Sequence, residues 1–126
     1  AIARRYESTV VVAPASLLAN WAAEIERFAP SLKAIVAHPS AMPVTELQEL
    51  DEQKLEKIDL VITSYGSLLR LPGLLKIPWR LAVLDEAQAI KNPGAKQTRA
   101  VKQIDAQTRI ALTGTPIPNR TIFAIW

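Results

Sequence analysis

The chain has 126 residues, 49% of them hydrophobic and 21% charged, enough to bury about two thirds of the surface of its unfolded form in one self-supporting domain, which excludes general disorder. It has no cysteine and a single histidine, His38, so disulfides, thiolate zinc sites and a histidine metal site are excluded and an intracellular setting is expected; no apolar run approaches a membrane span, and the opening residues AIARRYESTVVVAP carry no signal-peptide pattern. The formal charge of +3 is unevenly placed, with four basic and three acidic groups in residues 1–45, five and eight in 46–86, and six and one in 87–126; Lys91, Lys96, Arg99, Lys102, Arg109 and Arg120 give a basic final third that would suit a polyanion such as nucleic acid, although charge of this kind more commonly marks a solvated helix face.

The first predicted element is a strand, Thr9 to Ala13 (TVVVA). A helix follows, with Ser16 as N-cap just after Pro14; Leu17, Trp21, Ile25 and Phe28 recur at spacings of four, four and three, so the two aromatics read as core on one apolar stripe rather than as a base-stacking platform. Pro30 ends that helix. Next come a strand, Lys33 to Ala37, and an acidic stretch, Val44 to Lys57, helical by propensity, with a thin apolar face of Leu47, Leu50 and Leu55. Strands Asp59 to Thr63 and Arg80 to Leu84 follow, with Trp79 read as the cover of a sheet edge. Asn92-Pro93-Gly94 punctuates the chain before a third helix, Ala95 to Ile104, which turns Val101 and Ile104 inward and Lys96, Arg99 and Lys102 outward. Arg109 to Leu112 is the fifth strand. Near-continuous apolar strands alternating with amphipathic helices specify an α/β fold, a parallel sheet between two helix layers. No repeat or linker divides residues 1–126.

The densest chemistry lies in Leu81-Ala82-Val83-Leu84-Asp85-Glu86-Ala87-Gln88. Four apolar residues run straight into two acids, which puts a carboxylate pair at the carboxyl end of a buried strand, the place where open α/β sheets bind ligands. In a nucleotide-hydrolysing site the first acid can hold magnesium through its water shell while the second orients and deprotonates the attacking water. Taken alone, the pair reads more readily as an ordinary solvated Asp-Glu turn after a strand.

Other segments point to the same site. VVVAPASLLANWAAEIERFAPSL, DLVITSYGSLLR, LAVLDEAQAIKNP and ALTGTPIPN, in that order from Val10 to Asn119, resemble successive helicase motifs of the SWI/SNF-type DNA-dependent ATPases, from motif Ia through Walker B to motif III. Pro118 departs from the pattern, where the family often has an acidic residue. The resemblance implies part of a RecA-like first motor lobe of an ATP-driven translocase on double-stranded DNA, using ATP and magnesium and partnered by a second lobe. Asp85 then takes the magnesium role, Glu86 activates water, and Gln88 senses the nucleotide. Thr113, Gly114, Thr115 and Pro116 couple nucleotide state to the DNA-gripping surface. Pro14, Ser16, Thr63, Ser64 and Tyr65, expected in loops after strands, would bind the DNA backbone, as would Lys91 and Asn92; such contacts carry no sequence preference. Blander roles stay open beside these: a helix cap for Ser16 and Asn92, a solvated Lys91, a surface Gln88, and a plain turn at Gly114 and Pro116.

A phosphate-binding loop needs the pattern GxxxxGK followed by Ser or Thr, whereas Gly66, Gly73, Gly94 and Gly114 are followed by Ser, Leu, Ala and Thr. The expectation is therefore a RecA-like lobe lacking the P-loop strand, inactive by itself, binding neither ATP nor magnesium tightly, and able to self-associate through the sheet edge beside the last strand. A cytoplasmic or nuclear, DNA-associated location follows from the resemblance. A non-catalytic DNA-binding module of the same fold and an unrelated magnesium-dependent phosphohydrolase remain as alternatives.

Overall fold

The computed structural model describes residues 8–51, 53–85, 96–113 and 121–125. Val- and Ile-rich runs form β1 (Ser8–Ala13), β2 (Ala34–Ala37), β3 (Leu60–Ser64), β4 (Trp79–Leu84) and β5 (Ala106–Thr113), and a further strand, β6, spans Thr121–Ile125. They make one sheet in the order β2-β3-β1-β4-β5-β6. The first five strands are mutually parallel, so their carboxyl ends share one rim; β6 alone runs antiparallel, against β5. The arrangement is the expected α/β sheet of a RecA-like lobe. The expected open edge on β5 is not there, because β6 pairs with it from Ile110 to Thr113.

Register assigns the side chains to two faces. Val36, Ile62, Val11 and Val83 lie in one cross-strand row, and α1 (Leu18–Phe28) packs on that face through Leu18, Trp21, Ala22 and Ile25. Val10, Val12, Val61, Ala82 and Leu84 face the other way, into the larger core beneath α3 (Tyr65–Arg70), α4 (Pro72–Leu75) and α5 (Lys96–Lys102). The short α2 (Val44–Gln48) adds Leu47 to the same core.

Several local expectations are corrected. Ser16 caps no helix: Ala15–Leu17 is a 3-10 turn closed by the backbone, Leu17 N donating to the Pro14 carbonyl at 2.9 Å, and α1 starts only at Leu18. Of the predicted apolar stripe, Leu17, Trp21 and Ile25 pack against the sheet, with Leu18 buried among them, whereas Phe28 is 70% exposed, the Arg27 guanidinium 5.0 Å from its ring centre. The stretch from Val44 is helical only to Gln48, because Asp51 accepts a hydrogen bond from Lys54 N at 2.8 Å and so offers the backbone a turn in place of the helical ladder. Leu47 and Leu55 are nevertheless buried. Trp79 is in the interior on β4, wholly buried, its indole N–H donating to the Leu74 carbonyl at 2.9 Å.

Two helices that periodicity does not reveal connect β3 to β4. Ser64 is the N-cap of α3, accepting from Ser67 N at 3.0 Å, and Pro72 opens α4, where its missing N–H costs nothing. Gly73 lies so near the preceding segment that an added Cβ would sit 2.8 Å from the Leu50 carbonyl oxygen. Arg109 on β5 donates to the carbonyls of Lys102 and Ile104 and fastens the end of α5.

Candidate functional site

The shared rim collects the ends of β1 to β5. β4 delivers Asp85 to it immediately after Leu84, and β4 and β5 run side by side with Leu84 opposite Ala111, so Thr113 at the end of β5 reaches the same rim. Asp85 is fully buried and is fixed from three directions. Its N–H donates to the Val12 carbonyl at 2.8 Å, its carbonyl accepts from the Tyr65 hydroxyl at 2.7 Å, and its carboxylate Oδ2 accepts from the Trp21 indole Nε1 at 2.7 Å. The first two bonds satisfy the main chain of Asp85, and the indole gives the buried carboxylate a hydrogen-bond donor.

Further along the rim, the ends of β1, β2 and β3 surround a cleft of ≈ 360 Å³ lined by Pro14, Ala15, His38, Ser64, Tyr65, Gly66, Ser67 and Arg70. Ser16 is exposed beside it. Thr63, Ser64 and Tyr65 are not in a loop: the first two end β3, Tyr65 begins α3, and all three are buried. Their hydroxyls are used internally, Thr63 Oγ1 donating to the Ala37 carbonyl at 2.9 Å, Ser64 capping α3, and Tyr65 reaching Asp85. The strand continues to Ser64, and the next turn is helical, so the polar groups at the junction satisfy backbone partners first.

His38 and Arg70 are cleft residues the sequence reading passed over. The signal was available for His38, since the residue after any strand of a parallel sheet arrives at the same rim; Arg70 needed the unrecognised helix α3. Of the basic residues in the final third, Lys96, Arg99 and Lys102 are exposed, while Arg109 is committed to helix carbonyls. Glu86, Gln88, Lys91, Asn92, Gly114, Thr115 and Pro116 lie outside the described residues. Among the described residues no three potential ligands cluster as a metal site, and no helix is long and apolar enough to cross a membrane.

A family model described as the SNF2-related domain matches residues 1–123. The chain belongs to the SNF2 family. Curated SNF2 relatives include an uncharacterized ATP-dependent helicase of Mycoplasma pneumoniae, 40% identical over 115 residues, covering 90% of this chain and 11% of that protein. The ATP-dependent DNA helicase DDM1 of Arabidopsis thaliana is 37% identical, with 87% of this chain and 15% of the relative covered. Among solved structures, the SWI2/SNF2 ATPase core of Sulfolobus solfataricus in complex with double-stranded DNA superposes with a TM-score of 0.74 at 41% identity, over 90% of this chain and 22% of that one. This SNF2 chain therefore spans between about a tenth and a quarter of the length of these proteins, and its match to the ATPase core falls within the first lobe.

Proposed function

We propose that this chain serves as part of the first lobe of a longer ATP-driven motor that translocates along double-stranded DNA. The observation that carries the reading is the position of Asp85: buried, and directly after Leu84 at the carboxyl end of β4, beside β5, on the rim where such parallel sheets bind ligands. As a hard oxygen donor Asp85 suits the water shell of magnesium. Bound magnesium would supply charge neutralisation at the triphosphate. Glu86, next in the chain, would take the proton of the attacking water; Gln88 would sense the nucleotide, and Thr113 to Pro116 would pass its state to the DNA side.

On that side, the cleft at the ends of β1 to β3 offers the backbone at Pro14 and the junction at Ser64 to phosphate oxygens, and the exposed Ser16, two residues after Pro14, would join them; Lys91 and Asn92 would add further backbone contacts. Thr63, from behind it, and Tyr65, in its wall, would hold the junction in shape. DNA would be gripped without reading its sequence, in an intracellular, DNA-associated setting. A second lobe and a phosphate-gripping loop would come from other parts of the motor, so the 126-residue chain by itself is expected not to hydrolyse ATP.

The test has two arms. In the complete motor, Glu86→Gln is expected to abolish DNA-stimulated ATP turnover while DNA binding persists. The isolated chain is expected to show none. Turnover retained by the Glu86→Gln motor would refute the assignment of the acids, and DNA-stimulated turnover by the isolated chain would refute the division of labour.

A further inference from the structure

Trp21 has a role beyond the apolar stripe. Its ring lies half-buried on α1, yet its single polar atom meets the Asp85 carboxylate at 2.7 Å across 64 residues of sequence. An indole N–H only donates, so it seeks a carboxylate oxygen and can neither bind a cation nor relay a proton. The main chain of Asp85 is already pinned, its N–H to Val12 and its carbonyl to Tyr65. What those two bonds leave undetermined is rotation of the side chain about its two torsions. The indole constrains that rotation, and α1 keeps the indole in place through Leu18, Ala22 and Ile25 packed on the sheet.

We propose that Trp21 is a positioning residue for the nucleotide site: its indole N–H holds the Asp85 carboxylate in the orientation from which the acid engages the hydrated divalent cation. The inference rests on the reading of Asp85 as the magnesium-side acid. Groups that orient a metal-binding side chain without touching the ion set its affinity, and their removal costs about 10–100-fold. Phenylalanine would fill most of the ring's volume but offers no donor, so Trp21→Phe separates the hydrogen bond from the packing.

Two measurements test the proposal. In proton–nitrogen correlation spectra of this chain the three tryptophans, Trp21, Trp79 and Trp126, give three indole signals, and Trp21→Phe identifies one of them. Asp85→Asn is expected to move that signal upfield while the Trp79 signal, bonded to a distant carbonyl, stays in place. In the complete motor with a non-hydrolysable ATP analogue, Mn2+ binding followed by electron paramagnetic resonance is expected to weaken about 10-fold in Trp21→Phe, with an unchanged Kd for DNA. Benzothienylalanine at position 21, which replaces the N–H by sulfur at nearly constant shape, is expected to do the same and keeps the test decisive if the phenylalanine variant folds poorly. Wild-type Mn2+ affinity in these variants, or an indole signal indifferent to Asp85→Asn, overturns the role of Trp21. If instead Asp85→Asn leaves Mn2+ affinity intact, it is the reading of Asp85 that fails.

Discussion

Replacing Gly73 with alanine is expected to destabilise the fold, and replacing Gly66 with alanine to stabilise it, although both glycines lie in short helices. Alanine in a helix is favoured over glycine by about 0.8–1 kcal/mol, chiefly because glycine loses more backbone freedom on folding. At Gly66 nothing lies within 4 Å of the added Cβ, so most of that gain should be realised, about 0.5–1 kcal/mol. At Gly73 the Cβ would be 2.8 Å from the Leu50 carbonyl oxygen, a backbone atom that cannot swing aside as a side chain would. Overpacking of this kind costs about 1–3 kcal/mol, which outweighs the helical gain and leaves a net loss of up to about 2 kcal/mol. Urea denaturation gives both free energies directly, and thermal melting should show opposite displacements of about 4 °C per kcal/mol. If Gly73→Ala stabilises the chain as much as Gly66→Ala does, the close approach of α4 to Leu50 is not what holds that region together.

Three further outcomes can be checked. Ser64→Ala removes the cap of α3 and leaves Ser67 N without its acceptor, a loss of about 1 kcal/mol in urea denaturation. Trp79→Phe strips the donor from the buried Leu74 carbonyl and is expected to cost about 1–3 kcal/mol by the same measurement. Tyr65→Phe deletes the bond to the Asp85 carbonyl; a loss of about 1 kcal/mol in stability should be accompanied in the complete motor by a larger fall in kcat than in DNA affinity, and a fall in DNA affinity alone would show that the phenol acts at the cleft instead.

The parallel strands were legible because being covered on both faces demands unbroken apolar runs, and TVVVA, DLVIT and RLAVL satisfy that demand wherever they stand. Their carboxyl ends then fix the rim without further information, which is how Asp85 could be placed from LAVLDE alone. Less visible were α3 and α4, since Gly66, Pro72 and Gly73 break any periodicity; the clues were the hydroxyl of Ser64 before a helical turn and a proline at a helix start. The stripe on α1 was legible at Leu17, Trp21 and Ile25, which pack on the sheet beside the buried Leu18, but not at Phe28, the last residue of the helix, which is exposed. No spacing rule could have found the bonds that fix Asp85. Trp21 is 64 residues away and Tyr65 is 20, and both arrive through the strand order β3-β1-β4, a property of the assembled sheet.

The lone antiparallel strand also governs how this sheet can grow. With Thr121–Ile125 laid along β5, the outermost strand on that flank among the described residues is a five-residue ribbon rather than the eight-residue strand behind it. A shorter terminus offers a poorer template for a neighbouring molecule, and an incoming segment that required the longer strand would have to peel the ribbon away first.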